Sequence, residues 1–262
     1  MRECTPASSP MDLNQRLSKE MCPKSVAERE EMSLIPYQQA IGFIMYDAKI
    51  SRPDISFAVS ALCRYNTNYG RAHWTAVKRV LRYLKGTIDL KLTYRKDSND
   101  QMVGYCDADW AGNQDERRSN TGYVFVLQGG AISWATRKQP TIALSSTEAE
   151  FMSMVAAIQE ALWLKRFEGE LFADATPSIQ LNCDNQGAIK LATNNNYHAR
   201  TKHIDVKNYF IREKLAEDII KLSFLSTSEM IANIITKPKN VLPQALTQGI
   251  FLKAENGILL VW

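Results

Sequence analysis

Acidic residues that follow predicted strands are the side chains of this chain best suited to do chemistry. Asp107 and Asp109 end an apolar segment that starts at Met102, and their spacing of two residues puts both on one face of a β-strand. Two carboxylates on one face repel each other and resist burial, so a metal ion or a cationic ligand commonly neutralises them. A solvated strand end explains a lone Asp-x-Asp pair at least as well, so the other acids of the chain must decide.

Glu150 lies near the start of a predicted helix. Ser145 and Glu148 have the spacing of a capping box, and apolar residues recur at helical spacing from Phe151 to Leu162. Glu148 therefore has a structural task, whereas Glu150 is free to point toward a neighbouring strand end. Simple compensation of the helix dipole explains Glu150 equally well on local grounds.

Asp184 repeats the pattern seen at Asp107. It ends a segment of alternating apolar residues, 178–184, and a helical pattern starts directly after it. Capping of that helix, by Asp184 or by Asn185, is the structural alternative. Acids at two strand ends and one helix start together favour a metal site over isolated solvated carboxylates.

The elements that must position these acids follow a helical first part. Residues 1–35 are polar and carry three prolines, which predicts a flexible N-terminal arm, and residues 36–98 show three helical patterns. A polar break at 96–100 precedes strands, helices and a final short helix within residues 99–239. Gly129-Gly130 indicates a hairpin turn between two of those strands. Residues 240–262 form an apolar tail without a recognisable period.

Composition restricts the class of protein without specifying its activity. The chain has 262 residues, a net charge of +4 and a pI near 8.7, which is compatible with nucleic-acid binding but not diagnostic of it. Its five cysteines form no C-x-x-C pair, so we expect free thiols and no zinc site. No apolar segment has the length of a membrane span or the features of a signal peptide. We expect an intracellular protein, either cytoplasmic and particle-associated or nuclear.

The order of elements and several motifs resemble one known family. Strand, hairpin, strand, helix, strand, helices, strand and helix is the order of the ribonuclease H fold, an α/β fold with a mixed five-stranded sheet flanked by helices. The motifs are similar to the ribonuclease H domain of Copia-type LTR retrotransposon Pol polyproteins. They lie at residues 105–112, 117–123, 133–140, 144–150, 183–186, 200–205, 209–213 and 235–238.

The helical first part resembles a neighbouring region of the same polyproteins. Residues 37–42, 51–55 and 73–86 are similar to the thumb or connection segment between the polymerase and the ribonuclease H domain. The chain has no Tyr-x-Asp-Asp polymerase motif. The resemblance therefore implies a C-terminal piece of a Pol polyprotein: a small helical segment at 36–98, followed by a ribonuclease H-like domain at 99–239.

The resemblance also implies a catalytic site. Family members hydrolyse the RNA strand of RNA–DNA hybrids with two Mg²⁺ ions, for which Mn²⁺ can substitute. By motif position, Asp107, Glu150 and Asp184 are the expected metal ligands, with Asp107 between both ions and Asp109 outside the set. Asn233 stands where the family has a fourth acid, so this catalytic position lacks a charge.

Expected substrate contacts are to the nucleic-acid backbone, because a hybrid is recognised by its shape, phosphates and 2′-hydroxyls. A reverse transcriptase domain on another chain is a second expected partner, and no membrane is expected. The candidate residues for nucleic-acid binding are Arg117, Arg118, Lys138, Gln186, Arg200 and Lys202, with Arg137 as a further basic residue.

Three functions stay open at this point. The first is an active, magnesium-dependent ribonuclease H that serves reverse transcription. The second is a catalytically impaired Pol fragment that only binds nucleic acid, which Asn233 favours. The third is a tether, in which the helical segment packs this domain against a polymerase.

Overall fold

In the computed structural model, which describes residues 3–96, 101–172, 177–194, 205–238 and 251–253, the first part of the chain is helical. Buried side chains of its last three helices, among them Tyr37, Ile41, Leu62 and Tyr83, form one apolar cluster. These helices correspond to the three predicted helical patterns. The helices are α1 (Val26–Ser33), α2 (Tyr37–Ile50), α3 (Ser56–Cys63) and α4 (Arg71–Gly86).

The N-terminal residues pack against this cluster, which corrects the expectation of a flexible arm over residues 1–35. Met11 and Leu17 are buried in the cluster. Arg79, on the basic face of α4, donates hydrogen bonds to the carbonyl of Ser9 at 3.2 Å and to its hydroxyl at 3.0 Å. The basic face of α4 thus binds backbone carbonyls of the N-terminal segment, an interaction that no local periodicity can reveal.

A buried ion pair holds the turn between α2 and α3 to α4. Arg52 donates to Asp54 from Nε at 3.0 Å and from Nη2 at 2.7 Å, and both residues are less than 10 % exposed. The Tyr83 hydroxyl donates to the same carboxylate at 2.7 Å, and Arg52 also donates to the Thr87 hydroxyl at 2.6 Å. Every charge in this network therefore has polar partners, as buried charges require.

His73 makes the helical segment sensitive to acid. It is fully buried, stacks on Tyr65 at 4.0 Å, and its Nδ1 accepts the Gly70 backbone N–H at 2.9 Å, so the ring is neutral. Burial lowers the pKa of His73 below its usual value of 6.5, against the weaker opposing effects of Ser18 and Asp115. The unfolded chain therefore takes up this proton at higher pH than the folded chain does.

The stability due to neutral His73 is present above pH 6.5 and lost below it. We expect His73→Asn to flatten the fall in unfolding free energy between pH 7.5 and 5.0 by at most about 1.4 kcal/mol per pH unit. Urea unfolding at several pH values measures this slope. An unchanged slope in the variant would show that other groups cause the acid sensitivity.

The second part of the chain is built on a mixed five-stranded sheet. Its strands are β2 (Val103–Asp109), β3 (Asn120–Leu127), β4 (Gly130–Lys138), β5 (Ile179–Cys183) and β6 (Ile220–Phe224), while β1 (Leu90–Leu92) pairs separately with β7 (Phe251–Lys253). The strand order in the sheet is β4-β3-β2-β5-β6, with β2, β3 and β4 antiparallel and β2, β5 and β6 parallel. This arrangement confirms the expected ribonuclease H-like α/β fold.

The hairpin between β3 and β4 lies one residue earlier than Gly129-Gly130 suggests. Gln128 and Gly129 have positive φ angles of 51° and 76°, whereas Gly130 is already in β4. Two consecutive positive φ values are the geometry of a tight hairpin turn whose twist matches the flanking strands. β4 extends to Lys138, and in its second half the Thr136 hydroxyl donates to the Ile235 carbonyl at 2.7 Å.

Helices cover the sheet and complete its core. The long helix α5 (Ser146–Leu171) packs on β2, β3 and β5 through a cluster that includes Phe125, Phe151 and Ile158. On the other face of the sheet, a 3-10 helix (Ile231–Ile235) packs against β2 and β3. The helices of this part are α5 (Ser146–Leu171), α6 (Gln186–Thr193) and α7 (Asp205–Ala216).

The helical segment contacts the sheet directly. The Trp134 indole donates to the Ala48 carbonyl at 2.7 Å, and the Tyr65 hydroxyl donates to the Asp115 carboxylate at 3.2 Å. Arg64, at the end of α3, donates to the Asn120 amide oxygen at the start of β3.

The predicted break at 96–100 lies largely outside the described residues. Among the helices that the structure describes, none combines the length and the apolarity needed to cross a bilayer.

Candidate active site

The ends of β2 and β5 bring two of the predicted ligands together. These strands are parallel neighbours in which Cys106 pairs with Cys183, so Asp107 and Asp184 follow at the same edge of the sheet. Asp107 is fully buried, whereas Asp184 is half-buried. α6 is capped by Asn185, whose side chain accepts the Ala188 N–H at 2.9 Å. Asp184 is thereby freed from the capping role that the sequence left open.

Glu150 reaches the same edge from the first turns of α5. Ser145 caps the helix by accepting the Glu148 N–H at 3.1 Å, and Glu148 accepts the Leu144 N–H at 2.8 Å. Glu148 therefore has the structural task expected of it, and Glu150 does not share it. Glu150 is only 6 % exposed, and its Oε2 has no hydrogen-bond partner among the described residues. Ligand atoms of Glu150, Cys183 and Asp184 all lie within 4.8 Å of one another.

Burial and negative neighbours dominate the electrostatics of Glu150. Burial raises the pKa of Glu150 to about 10, with further contributions from Asp107, Cys183 and Asp184, and a hydrogen bond from the Ala108 N–H opposes the shift. Burial also raises the pKa of Asp107, although Lys237 counteracts it. Without additional positive charge, the site therefore disfavours full ionisation of its carboxyls.

Asn233, the expected fourth position, lies in the 3-10 helix and is fully buried. Its amide nitrogen donates to the Thr227 carbonyl at 2.8 Å, which orients the amide oxygen away from that carbonyl. The amide oxygen accepts a hydrogen bond from the Lys237 ammonium at 3.1 Å. The same ammonium donates to Asp107 Oδ1 at 3.0 Å. Asn233 and Asp107 are therefore joined through one lysine.

Two threonines hold the carboxylates in place. The Thr236 hydroxyl donates to Asp107 Oδ2, and the Thr227 hydroxyl donates to Asp184 Oδ2 at 2.8 Å. Lys237, Thr227 and Thr236 are site residues that we did not predict. The segment 235–238 is one of the motifs that resemble the family, but nothing in its local pattern shows that its lysine and threonine face a strand about 130 residues earlier.

Asp109 lies apart from this set. Asn120 binds it through its backbone N–H and, at 2.8 Å, through its side-chain amide. Burial raises the pKa of Asp109 to about 6, in spite of the two hydrogen bonds from Asn120 and the charge of Arg64. Asp109 therefore holds the loop that follows β2 to the start of β3.

The predicted nucleic-acid contacts are distributed unevenly. Arg117 and Gln186 are exposed, and Gln186 opens α6 two residues after Asp184. Lys138 and Arg118 lie 2.8 Å and 3.6 Å from the carboxylate of Glu116, so their charges are partly neutralised within the protein. Arg200 and Lys202, like His198 and His203, lie outside the described residues.

Gly122 makes the close approach of the 3-10 helix possible. It pairs with Asp107 in the sheet, and a Cβ at this position would clash with the Thr236 side chain and approach Ile235 Cγ1 to 3.0 Å. We expect Gly122→Ala to displace the segment that carries Thr236 and to lower the unfolding free energy by about 1–3 kcal/mol.

Gly169→Ala is the matched control, because a Cβ at this exposed position of α5 meets nothing within 4 Å. It should leave stability unchanged or raise it by up to about 1 kcal/mol, since alanine favours helices. Urea unfolding of both variants measures the difference. Equal stability of the two variants would show that the 3-10 helix is not tightly packed on β3.

The donor atoms fit a divalent cation. Carboxylate and amide oxygens are ligands that Mg²⁺ and Mn²⁺ prefer. The unpartnered Oε2 of Glu150 is buried beside Asp184, and a bound cation would relieve this unfavourable arrangement. The Cys183 thiol is a softer ligand and does not suit Mg²⁺.

Comparison with known proteins places the chain among transposon proteins, although no protein-family model matches it. It is 44 % identical over 242 residues to the retrovirus-related Pol polyprotein from transposon TNT 1-94 of Nicotiana tabacum, covering 92 % of this chain and 18 % of that protein. The Pol polyprotein from transposon RE2 of Arabidopsis thaliana is 37 % identical over 202 residues, 77 % of this chain and 14 % of that protein. The chain thus spans less than a fifth of these relatives.

A shorter relative and two solved structures complete the comparison. The secreted RxLR effector protein 161 of Plasmopara viticola is 47 % identical over 133 residues, 51 % of this chain and 94 % of that protein. LC11-RNase H1 in complex with an RNA/DNA hybrid gives a TM-score of 0.39 at 13 % identity, over 52 % of this chain and 94 % of that one. The foamy viral protease-reverse transcriptase in complex with dsDNA gives a TM-score of 0.47 at 12 % identity, over 78 % of this chain and 42 % of that one. By its identity to the TNT 1-94 and RE2 proteins, the chain belongs to the family of retrovirus-related Pol polyproteins from Copia-type transposons, and its second part has a ribonuclease H-like α/β fold.

Proposed function

We propose that this domain hydrolyses the RNA strand of RNA–DNA hybrids with the help of divalent metal ions. The observation that carries the proposal is Glu150. This glutamate is 6 % exposed, leaves one oxygen without a partner, and lies within 4.8 Å of ligand atoms of Asp184. Proteins rarely bury a carboxyl in this way unless a cation or a chemical task compensates its desolvation.

Asp107, Glu150 and Asp184 would hold the metal, with Asn233 at the fourth catalytic position. Magnesium is the proposed physiological ion, with Mn²⁺ as a substitute, and the resemblance to the family implies two ions. A bound divalent ion stabilises developing charge on phosphoryl oxygens and lowers the pKa of a bound water.

The protein's own residues prepare this site. Thr236 and Thr227 orient Asp107 and Asp184 through hydrogen bonds from their hydroxyls. Burial and the neighbouring carboxylates raise the pKa of Glu150 to about 10, so a bound cation would favour its ionised form. Metal binding would then be coupled to release of a proton.

Nucleic-acid binding should depend mainly on Arg117 and Gln186, together with Arg200 and Lys202, which lie outside the described residues. Among the described residues, no acid lies within ion-pair distance of Arg117, so its charge is free to meet a phosphate. Arg118 and Lys138 would have to give up Glu116 first, which lowers their net contribution.

The polymerase partner is proposed from the outer face of the helical segment. α2 exposes Phe43 and Tyr46 by 75 % and 67 %, and large exposed apolar side chains on one helix are typical of an interface. We propose that this face packs against a reverse transcriptase domain of the same polyprotein type. Phe43→Ser combined with Tyr46→Ser should abolish co-elution with such a domain, and unchanged co-elution would contradict this surface.

The second candidate function is hybrid binding without cleavage. Two observations favour it: the fourth acid is replaced by Asn233, and a lysine ammonium lies among the remaining carboxylates. A site with less negative charge binds metal more weakly.

Cleavage and binding assays distinguish the two candidate functions. They use a labelled RNA–DNA hybrid, an RNA duplex and a DNA duplex as substrates. The proposed function predicts that, among the three duplexes, only the hybrid is cleaved, in its RNA strand, in Mg²⁺ or Mn²⁺. It predicts no cleavage in EDTA. Binding to the hybrid without cleavage in either metal would support the second candidate. Cleavage that persists in EDTA, or equal cleavage of all three duplexes, would contradict the proposal.

A further inference from the structure

A cleft lies beside the candidate active site, between the N-terminal segment, α3 and the loop that follows β2. Its volume is about 440 Å³, which is within the size range of ligand sites. We propose that this cleft binds an unpaired nucleotide of a single strand of RNA or DNA, with the base stacked on Trp110. Its phosphates contact the three arginines that line the cleft, Arg16, Arg64 and Arg117. The inference rests on the proposed action on nucleic acid and adds a second site to it.

Trp110 supplies the aromatic ring of this cleft. It is 56 % exposed, and its indole N–H donates to the Ala143 carbonyl at 3.2 Å, which fixes the position of the ring. Among the residues that the structure describes, no second aromatic ring stacks on it. Nucleobases stack on exposed aromatic side chains with little regard to base identity, because every base has a π-face. Trp110 is therefore suited to hold a base of an unpaired strand.

The three arginines give the cleft a positive charge. Arg16 and Arg117 are exposed, and Arg64 is half-buried and uses one of its N–H groups to bind the Asn120 amide oxygen. Among the described residues, none of the three has an acid within ion-pair distance. Asp109, the one acid among the described residues that line the cleft, already accepts hydrogen bonds from Asn120 on both oxygens. Basic residues around an aromatic platform are typical of sites for single-stranded nucleic acid.

The loop that carries Trp110 and Arg117 is held in one conformation. The Ser119 hydroxyl accepts the Ala111 N–H at 3.0 Å, and the Arg117 N–H donates to the Asn113 carbonyl at 2.8 Å. Ala111 and Arg117 have positive φ angles of 52° and 54°. Non-glycine residues keep such angles only where the surrounding contacts impose them, and they cluster at ligand sites. The loop therefore presents both side chains to a ligand with little loss of conformational freedom on binding.

The N-terminal segment contributes its own charge to the cleft. Met11 and Leu17 are buried in the cluster of the helical segment, and Arg16 lies between these two anchors and lines the cleft. The packing of this segment thus has a consequence for binding: it brings a cation from the start of the chain to the loop after β2.

Lys237 joins the cleft to the candidate active site. It lines the cleft, and its ammonium lies 3.0 Å from Asp107 Oδ1. Trp110 follows Asp107 by only three residues. A strand that separates from a hybrid bound at the candidate active site can therefore enter the cleft directly.

The test is the affinity of the intact chain for fluorescein-labelled oligouridine and oligothymidine of about twelve nucleotides, measured by fluorescence anisotropy in EDTA. Trp110→Ala should weaken binding at least about five-fold, because one stacked base is lost. Trp110→Phe keeps a ring and should restore most of the affinity. Arg16→Met should lower the slope of log affinity against log salt by about 0.7, the value for one phosphate contact of a single strand.

Two residues of α5 provide matched controls. Trp163 is also 56 % exposed, but it stacks on Phe167 with the ring centroids 5.3 Å apart. Arg166 is exposed on the same helix. Trp163→Ala and Arg166→Met should each bind within about two-fold of the native chain, since neither change touches the cleft. Thermal melting confirms that every variant is folded.

The outcomes separate this inference from the proposed function. Native affinity in Trp110→Ala, or equal losses in Trp110→Ala and Trp163→Ala, would overturn the inference. Cleavage of a hybrid in Mg²⁺ by a native chain that binds neither oligonucleotide would also overturn it and leave the proposed function intact. Single-strand binding that depends on Trp110, without any cleavage of the hybrid, would support the cleft and contradict the proposed hydrolysis. A preference for oligouridine or for oligothymidine would assign the cleft to the RNA or to the DNA strand.

Discussion

Asp107→Asn is expected to lower the rate of RNA-strand cleavage by at least about 1,000-fold, which corresponds to about 4 kcal/mol of lost transition-state stabilisation. Asp107 is the fully buried carboxylate that the Lys237 ammonium and the Thr236 hydroxyl both contact. An asparagine has the same shape but lacks the charge that binds a cation. Folding should survive the change, because burial already disfavours the charged form of Asp107.

Asp109→Asn is the matched control for this variant. Asp109 lies two residues away in the same strand and accepts two hydrogen bonds from Asn120 instead of facing the lysine. We expect its cleavage rate to stay within about ten-fold of the native rate, since this change removes no metal ligand. Single-turnover cleavage of a labelled hybrid measures both rates, and equal losses in the two variants would contradict the assignment of Asp107.

Arg52→Met is expected to have the largest effect on stability, a loss of about 3–5 kcal/mol in unfolding free energy. The change leaves the Asp54 carboxylate, which is 1 % exposed, without its cation, and Thr87 loses two donors. Tyr83 still donates to Asp54, but one hydroxyl does not compensate a buried charge. The turn between α2 and α3 should then separate from α4.

Arg71→Met is the control for the general loss of an arginine. Arg71 pairs with Glu31 on the surface, where the two side chains are 76 % and 49 % exposed. Such pairs contribute about 0–1 kcal/mol, so this variant should unfold close to the native midpoint. Urea unfolding at neutral pH measures the unfolding free energy of both variants. A cost of less than 1 kcal/mol for Arg52→Met would mean that the network does not hold the helices together.

Much of this fold can be predicted from local pattern. The capping-box spacing of Ser145 and Glu148 predicts the start of α5, although Glu148 accepts from the Leu144 N–H instead of the Ser145 N–H. The separation of Glu148 from Glu150 identifies the acid with a task of its own. The strand pattern located β2 and β5, whose parallel pairing brings Asp107 and Asp184 to one edge. These features are local, or follow from the order of strands in the fold.

Other features depend on contacts that no local pattern carries. The N-terminal segment has no periodicity, yet Arg79 binds Ser9 across 70 residues of sequence. Lys237 reaches Asp107 across 130 residues, so its position became visible only with the packing of the 3-10 helix on the sheet. The substitution at Asn233 could be identified from the motif, but its pairing with a lysine could not.

The most direct test of the central claim is single-turnover cleavage of a labelled RNA–DNA hybrid by the native chain, Asn233→Asp and Asp107→Asn, in Mg²⁺ and in Mn²⁺. We predict that the native chain cuts the RNA strand above the Asp107→Asn background, and that Asn233→Asp cuts faster, because an added carboxylate strengthens metal binding. Cleavage by Asn233→Asp alone would contradict hydrolysis by the native chain and leave it as a hybrid-binding module. Folded proteins that all stay at background would contradict the assignment of the site itself.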